Sequence, residues 1–275
     1  MTAIFPSRFK FRRDLMSFLG YHHVLMVFLS IAIITTSIVV AGCTTPSLAN
    51  VYLLSLRYLN SSTSTTSSTH PEQLNPNISA TFHNISDHPS LEVRAGYLGL
   101  CVRQNSEKWH CSRSAPSLVE IVELSRGSKD DPLNLLWIAS NFRSQVVFVG
   151  LIFISIALSV LAIVLLSTFP RWHTETDDDG SEREVKPFPS KKISYSATAL
   201  IGLASIFMFV SILWQHIVSA TAAVMVDDLT YGAAKGSVGS AAMAIGWTAV
   251  SCLLLTFVAT LIMVWSIKVL SELVD

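Results

Sequence analysis

Charge is what this sequence has least of. Only 14% of its 275 residues are Asp, Glu, Lys or Arg, where a soluble domain carries about 25%. Lys+Arg and Asp+Glu both total 19, so no bulk charge points to nucleic acid. Catalytic signatures are missing as well. There is no phosphate loop, no Gly-x-Ser-x-Gly and no His/Cys cluster at metal-ligand spacing; the histidines are scattered, from His22-His23 through His70, His83, His88 and His110 to His216. An enzyme reading has nothing positive to rest on, and no cofactor is implied. The long apolar runs hold no acidic residue, which argues against a proton-coupled transporter.

What the sequence does have is apolar length. Its mean hydropathy is +0.50. Four blocks supply the roughly 20 apolar residues that a bilayer core requires: Val24 to Ala41, Val146 to Phe169, Ala197 to Val226 and Ala241 to Ile267. With their flanks they predict transmembrane helices at 24–43, 144–169, 196–226 and 241–267. Trp137, Trp172, Trp214, Trp247 and Trp265 fall towards the ends of these blocks, where an indole sits well between lipid and water.

Local charge predicts the orientation. Arg8, Lys10, Arg12 and Arg13 precede the first block, and the 170–195 loop holds Arg171, Arg183, Lys186, Lys191 and Lys192. Positive residues stay on the cytoplasmic side. Residues 1–23, the 170–195 loop and the 268–275 tail are therefore expected on the cytoplasmic side of the plasma membrane. The 44–143 loop and the short 227–240 loop are expected outside. A second reading makes the first block a cleaved signal, since "VVAGC" resembles a lipoprotein processing site ending at Cys43.

The 44–143 loop carries three glycosylation acceptor patterns, at Asn60, Asn77 and Asn84, in a polar Ser/Thr-rich run expected to be a flexible insertion. Upstream, "NVYLLSLRYLN" favours a strand. Downstream, Leu91, Val93, Ala95 and Tyr97 alternate with polar or small residues, again strand-like. Then comes "GYLGLCVRQNSEKWHC", from Gly96 to Cys111. An outer loop lies in an oxidising compartment, and nine residues between Cys101 and Cys111 fit a bridged hairpin, with Trp109 placed to cover the bridge. The alternative is a pair of free thiols. Cys43 and Cys252, at or within the apolar blocks, are expected to stay reduced or to carry lipid.

Four spans, a long first outer loop and a Gly-Leu…Cys…Cys cassette resemble the claudin superfamily. In claudins a Trp follows Gly-Leu; here Gly99-Leu100 runs directly into Cys101. With Gly96, Gly99, Leu100, Cys101, Trp109 and Cys111, the cassette is similar to that of a narrower group, the fungal claudin-like proteins induced by mating pheromone. That resemblance implies low-affinity calcium influx, cell fusion and sexual development. It also implies membrane-protein partners such as calcium channel components, or a homo-oligomer in the bilayer.

Other stretches carry weaker signals. Asp131-Pro132 predicts a helix start leading towards the second span. "ETDDDGSEREVK" places Glu175, Asp177 and Asp179 as in a calcium loop around Gly180, but puts Lys186 where a Glu is needed; it reads as an acidic linker. Asp227 and Asp228 end the third span, as a solvated helix end or as a weak metal site at a pore mouth. Gly232, Gly236 and Gly239 have spacings that bring helices together, within a bundle or between copies. The expected fold is a membrane all-α four-helix bundle with a small disulfide-bridged extracellular β-sheet, claudin-like. Its expected role is calcium influx and membrane fusion in fungal mating. The alternatives are a scaffold for membrane domains or pH sensing, and a self-sufficient ion channel.

Overall fold

The structure, a computed structural model, describes residues 21–59, 76–86, 90–105, 108–126, 131–169, 173–176, 182–185 and 190–274. The basic N-terminal residues, Asn60, His70, His88, Trp172 and most of the acidic stretch after Glu175 lie outside them. Among the described residues four helices are long and apolar enough to cross a membrane: α1 (Tyr21–Val40), α5 (Gly150–Ser167), α6 (Lys191–Leu229) and α7 (Ser240–Val274, apolar as far as Val269). The chain is a multi-pass membrane protein.

Their limits differ from the sequence expectation for local reasons. Ser190 accepts a hydrogen bond on its hydroxyl from the Ile193 amide at 3.4 Å, so α6 starts within the polar loop, at Lys191. At its far end Gly232 takes φ +78° and donates its amide to the Asp227 carbonyl at 2.9 Å, a left-handed stop. The second span begins only at Gly150, because a π turn, Phe142–Val146, and three irregular residues come first.

The chain divides into two compact units. The first comprises residues 1–34, 152–208 and 249–275. In α5 the buried positions are Ile152, Ser155, Ser159, Ala162 and Leu166, three and four apart along one stripe. In α6 they include Ser194, Ala197, Ile201, Ala204, Ser205 and Met208. Large side chains such as Phe153, Leu161, Ile206 and Ile262 face outward. Small and hydroxyl residues inside with bulky apolar ones outside is the arrangement expected where lipid, not water, is the solvent. The buried hydroxyls donate to carbonyls: Ser155 to Ala204 at 2.8 Å, Ser159 to Ser155 at 2.8 Å, Ser205 to Ile201 at 2.7 Å. The loop before α6 contains a short hairpin, β5 (His173–Thr176) with β6 (Glu182–Val185), so the expected acidic linker is partly ordered as strands.

The second unit comprises residues 35–151 and 209–248. Its centre is an antiparallel sheet of β1 (Leu54–Tyr58), β2 (Leu91–Ala95), β3 (Leu100–Gln104), β4 (His110–Ser112) and β7 (Ala234–Val238), in the order β4-β3-β2-β1-β7. Leu54, Leu56, Leu91, Val93, Leu100 and Val102 are buried on one face, the period of two that a half-covered sheet imposes. Helices α3 (Ala115–Arg126) and α4 (Leu135–Asn141) pack on it.

Three sequence expectations change in this unit. Gly236 and Gly239 do not join helices. Gly236 lies in β7, which pairs with β1 as Leu56↔Gly236, and its Cα faces the Ala223 backbone, where a side chain would collide. The run expected to be a flexible insertion contains helix α2 (Pro76–Ser86), whose Phe82 stacks on Tyr231 with ring centroids 5.9 Å apart. Asp131 does start a helix, but from a distance. Its carboxylate accepts the Leu135 and Leu136 amides at 2.8 and 3.0 Å, while Asn134 takes a left-handed φ of 52°. An acidic group on the free N–H groups of a first turn satisfies donors that have no partner within the helix.

Candidate functional site

The Gly96–Cys111 cassette is a hairpin with a disulfide at one end and a buried tyrosine at the other. Ala95 pairs with Leu100, and Gly96 donates its amide to the Gly99 carbonyl at 2.9 Å, so Gly96-Tyr97-Leu98-Gly99 is the turn between β2 and β3. Neither glycine has positive φ; what they supply is room. A methyl on Gly99 would overlap the Cys43 carbonyl, and one on Gly96 the Gly42 carbonyl. The turn therefore lies directly on the backbone that leaves α1, an approach that only glycine allows.

Cys101 and Cys111 stand opposite each other in β3 and β4 and form a disulfide. Cys101 is fully buried in a small cluster with Cys43 and Ala49, and Tyr52, Trp109 and Cys111 pack against it. Cys43 lies beyond the end of α1, with a left-handed φ of 57°. Burial pushes its thiol up to about 12, against a weaker opposing pull from Arg94. Cys43 is fully buried and takes part in no disulfide.

Trp109 is the cover, and two arginines hold it. The Arg94 guanidinium lies 4.1 Å from the Trp109 ring centre and 4.6 Å from that of Tyr52; Arg103 lies 4.5 Å from Trp109. Such cation–π contacts contribute about 0.5–2 kcal/mol each. Glu92 ties the two cations together, accepting from Arg94 Nε at 2.9 Å and from Arg103 Nη2 at 2.7 Å. Ser55 donates to the same carboxylate at 3.1 Å. Burial alone would raise the Glu92 carboxyl, but hydrogen bonds and charge from Arg103 and Arg94 outweigh it and hold it below the ordinary range. Arg94 also reaches the Ala49 carbonyl at 3.0 Å and Asn50 Oδ1 at 2.8 Å. The result is a braced, partly exposed patch of Trp, Tyr and Arg, the residue types that dominate binding hot spots.

The turn also reaches inward. Tyr97 is buried and donates its hydroxyl to Gln215 Oε1 in α6, and Gln215 Nε2 lies 3.8 Å from Met243 Sδ in α7. Burial raises the Tyr97 phenol above its usual value. Sequence reading singled out Gly96, Gly99, Leu100, Cys101, Trp109 and Cys111, which the structure brings together. It missed Tyr52, Glu92, Arg94, Arg103, Tyr97 and Gln215. The signal for Glu92 and Arg94 was their alternation with Leu91, Val93 and Ala95, which puts both on the face away from the core.

The remaining candidates lie elsewhere. Asn77 and Asn84 are exposed on α2. Asp227 is half-buried and Asp228 exposed at the end of α6, where their carbonyls accept from Gly232 and Tyr231. His216 is exposed, its ring edge-on to Trp247 at 6.5 Å. Among the described residues no three His, Cys, Asp or Glu side chains gather as a metal site.

Four helices long and apolar enough to cross a membrane and a disulfide-stabilised antiparallel sheet define a multi-pass membrane protein with a compact module built on that sheet. Residues 78–266, more than half of the chain, match the family described as Ca2+ regulator and membrane fusion protein Fig1, and the chain belongs to that family. No curated protein matches the sequence.

Proposed function

We propose that the protein promotes calcium influx and membrane fusion during fungal mating, as a glycosylated plasma-membrane protein with both termini cytoplasmic and its sheet outside. The observation that carries this is the match to a family of calcium regulators and fusion proteins from α2 to most of α7. In this reading the four spans and the outer sheet are arranged as in a claudin-like protein. The braced Trp109–Arg94–Arg103 patch supports a regulator that engages a protein partner, such as a calcium channel component or a second copy. The buried span hydroxyls donate to backbone carbonyls, which favours the regulator over a pore of its own. Deleting the gene is expected to lower pheromone-stimulated calcium uptake and to stall mating pairs before fusion. Asp227→Asn with Asp228→Asn separates the two versions. If the protein is a regulator the unitary conductance of the influx is unchanged, whereas a pore with a charged mouth loses conductance, most at low ionic strength. Normal uptake and normal fusion without the gene overturn the proposal and favour the membrane-domain scaffold.

A further inference from the structure

Alternation along the strands puts Leu54, Leu56, Leu91 and Val93 on the buried face of the five-stranded sheet. Arg57, Glu92, Arg94, Arg103 and Lys235 fall on the other face. Register then lines four of these up across four strands. Lys235 stands opposite Arg57, Arg57 opposite Glu92, and Glu92 opposite Arg103. Of the five charged residues four are cations and one is a carboxylate, an excess of three positive charges.

The one carboxylate is already engaged. Glu92 accepts from Arg94 at 2.9 Å and from Arg103 at 2.7 Å, so Arg57 has no share in it despite standing opposite in register. Arg57 and Lys235 are both exposed, and neither makes an ion pair or a side-chain hydrogen bond among the described residues. Like charges directly opposite each other weaken a sheet. A pair that weakens the fold and contributes no contact to it is what selection for binding, rather than for stability, leaves behind. Towards the other edge of the sheet, Trp109 lies against Arg94 and Arg103, 4.1 and 4.5 Å from its ring centre. It adds an aromatic surface of the kind that anchors protein partners.

We infer that this face binds an acidic, extended segment of a partner protein. One carboxylate sits between Arg57 and Lys235, and another lies near Arg103 and Trp109, roughly 10 Å or two strand spacings away. A second copy docked face to face sets cations against cations, so charge excludes it here. A uniformly charged glycan meets Glu92 in the middle of the row, whereas a peptide can place a neutral residue there. The inference rests on the reading that the protein acts through a partner, and it gives that partner its chemistry.

The full chain, purified in a non-ionic detergent, is titrated into a short dye-labelled peptide of alternating Glu and Ser, and binding is read by fluorescence anisotropy. Affinity is expected to fall as salt rises. Arg57→Gln with Lys235→Gln is expected to weaken binding about tenfold, the worth of two exposed ion pairs. Lys235→Glu places an anion opposite Arg57, so it is expected to weaken binding further while melting no lower than the native protein. Three results overturn the proposal: equal binding of the matching Gln-Ser peptide, tighter binding of a sulfated oligosaccharide of equal charge, or an unchanged affinity in Lys235→Glu. The first two are read on the native protein, so a variant that fails to fold does not blunt the test. Calcium uptake keeps the two readings apart. Uptake that depends on the gene without peptide binding sinks this inference alone, and peptide binding with normal uptake in the deletion strain sinks the calcium reading alone.

Discussion

Tyr97, at the tip of the cassette's turn, hydrogen-bonds the buried side chain of Gln215 in the third long helix. Both groups are shut away from solvent, so each depends on the other. Tyr97→Phe leaves the Gln215 oxygen without its donor and is expected to destabilise by about 1–3 kcal/mol. Tyr97→Phe with Gln215→Leu removes both partners and is expected to cost less than the two single changes added together. Thermal unfolding in detergent, followed on all four proteins, checks this. Strict additivity would mean the pair is uncoupled.

The bridge makes a simpler prediction. Cys101→Ser and Cys111→Ser each remove one disulfide that closes a short loop, worth about 2–3 kcal/mol. The double variant is expected to be no worse than either single one, because the bridge is lost only once. Alkylation of the native protein followed by peptide mass spectrometry is expected to leave Cys101 and Cys111 unlabelled. Labelling of both in folded protein refutes the bridge.

Gly99 and Gly232 offer a matched pair. An alanine at Gly99 drives its methyl into the Cys43 carbonyl, whereas Gly232 has nothing within 4 Å and only its φ of +78° to accommodate. Gly232→Ala is expected to cost about 1–2 kcal/mol, the strain of a left-handed non-glycine residue. Gly99→Ala is expected to cost well beyond that and to abolish delivery to the membrane surface. Equal effects in a surface-delivery assay would show that close packing at Gly99 is not what limits folding.

Glu92 gives the patch a pH dependence whose sign is fixed. Its folded value is depressed, so its contribution is present above the unfolded carboxyl range and is lost as pH falls through the folded value. Stability measured on descending from pH 6 to pH 3 is expected to fall more steeply in the native protein than in Glu92→Gln. The variant is expected to be less stable at neutral pH, since Arg94 and Arg103 keep their positions without their shared anion. Parallel curves would remove Glu92 from that role.

Orientation is checked by tags and glycans. Asn77 and Asn84 are exposed on α2 and are expected to carry glycan, while a tag after Asp275 is expected to be unreachable from outside. A band unshifted by glycosidase, together with surface labelling of the tag, reverses the proposed topology.

The spans were legible because a bilayer demands length and apolarity, and α1, α5, α6 and α7 display both in one dimension. The cassette was legible for a different reason: Gly96, Gly99, Cys101 and Cys111 are close together in sequence, and their chemistry is local. What sequence reading missed depends on register. The Lys235–Val238 stretch read as a loop beside a helix, because its strand partner is β1, far back along the chain. Likewise, Glu92 meets Arg103, and Arg94 meets Trp109, only after β2, β3 and β4 are aligned.

The pairing of β1 with β7 also sets a timetable. Leu54–Tyr58 is made early in synthesis, yet the strand that completes its edge, Ala234–Val238, is made only after α6. Until then β1 has β2 on one side and bare backbone groups on the other, the condition under which strands recruit wrong partners. Contacts between such distant segments form slowly, and incomplete sheets invite aggregation. A chain that stalls or is cut before Ala234 therefore keeps the disulfide hairpin but displays an open edge. Only a polypeptide translated past its third long helix can supply β7, so the strand left at that edge, β1 or β7, separates unfinished copies from finished ones.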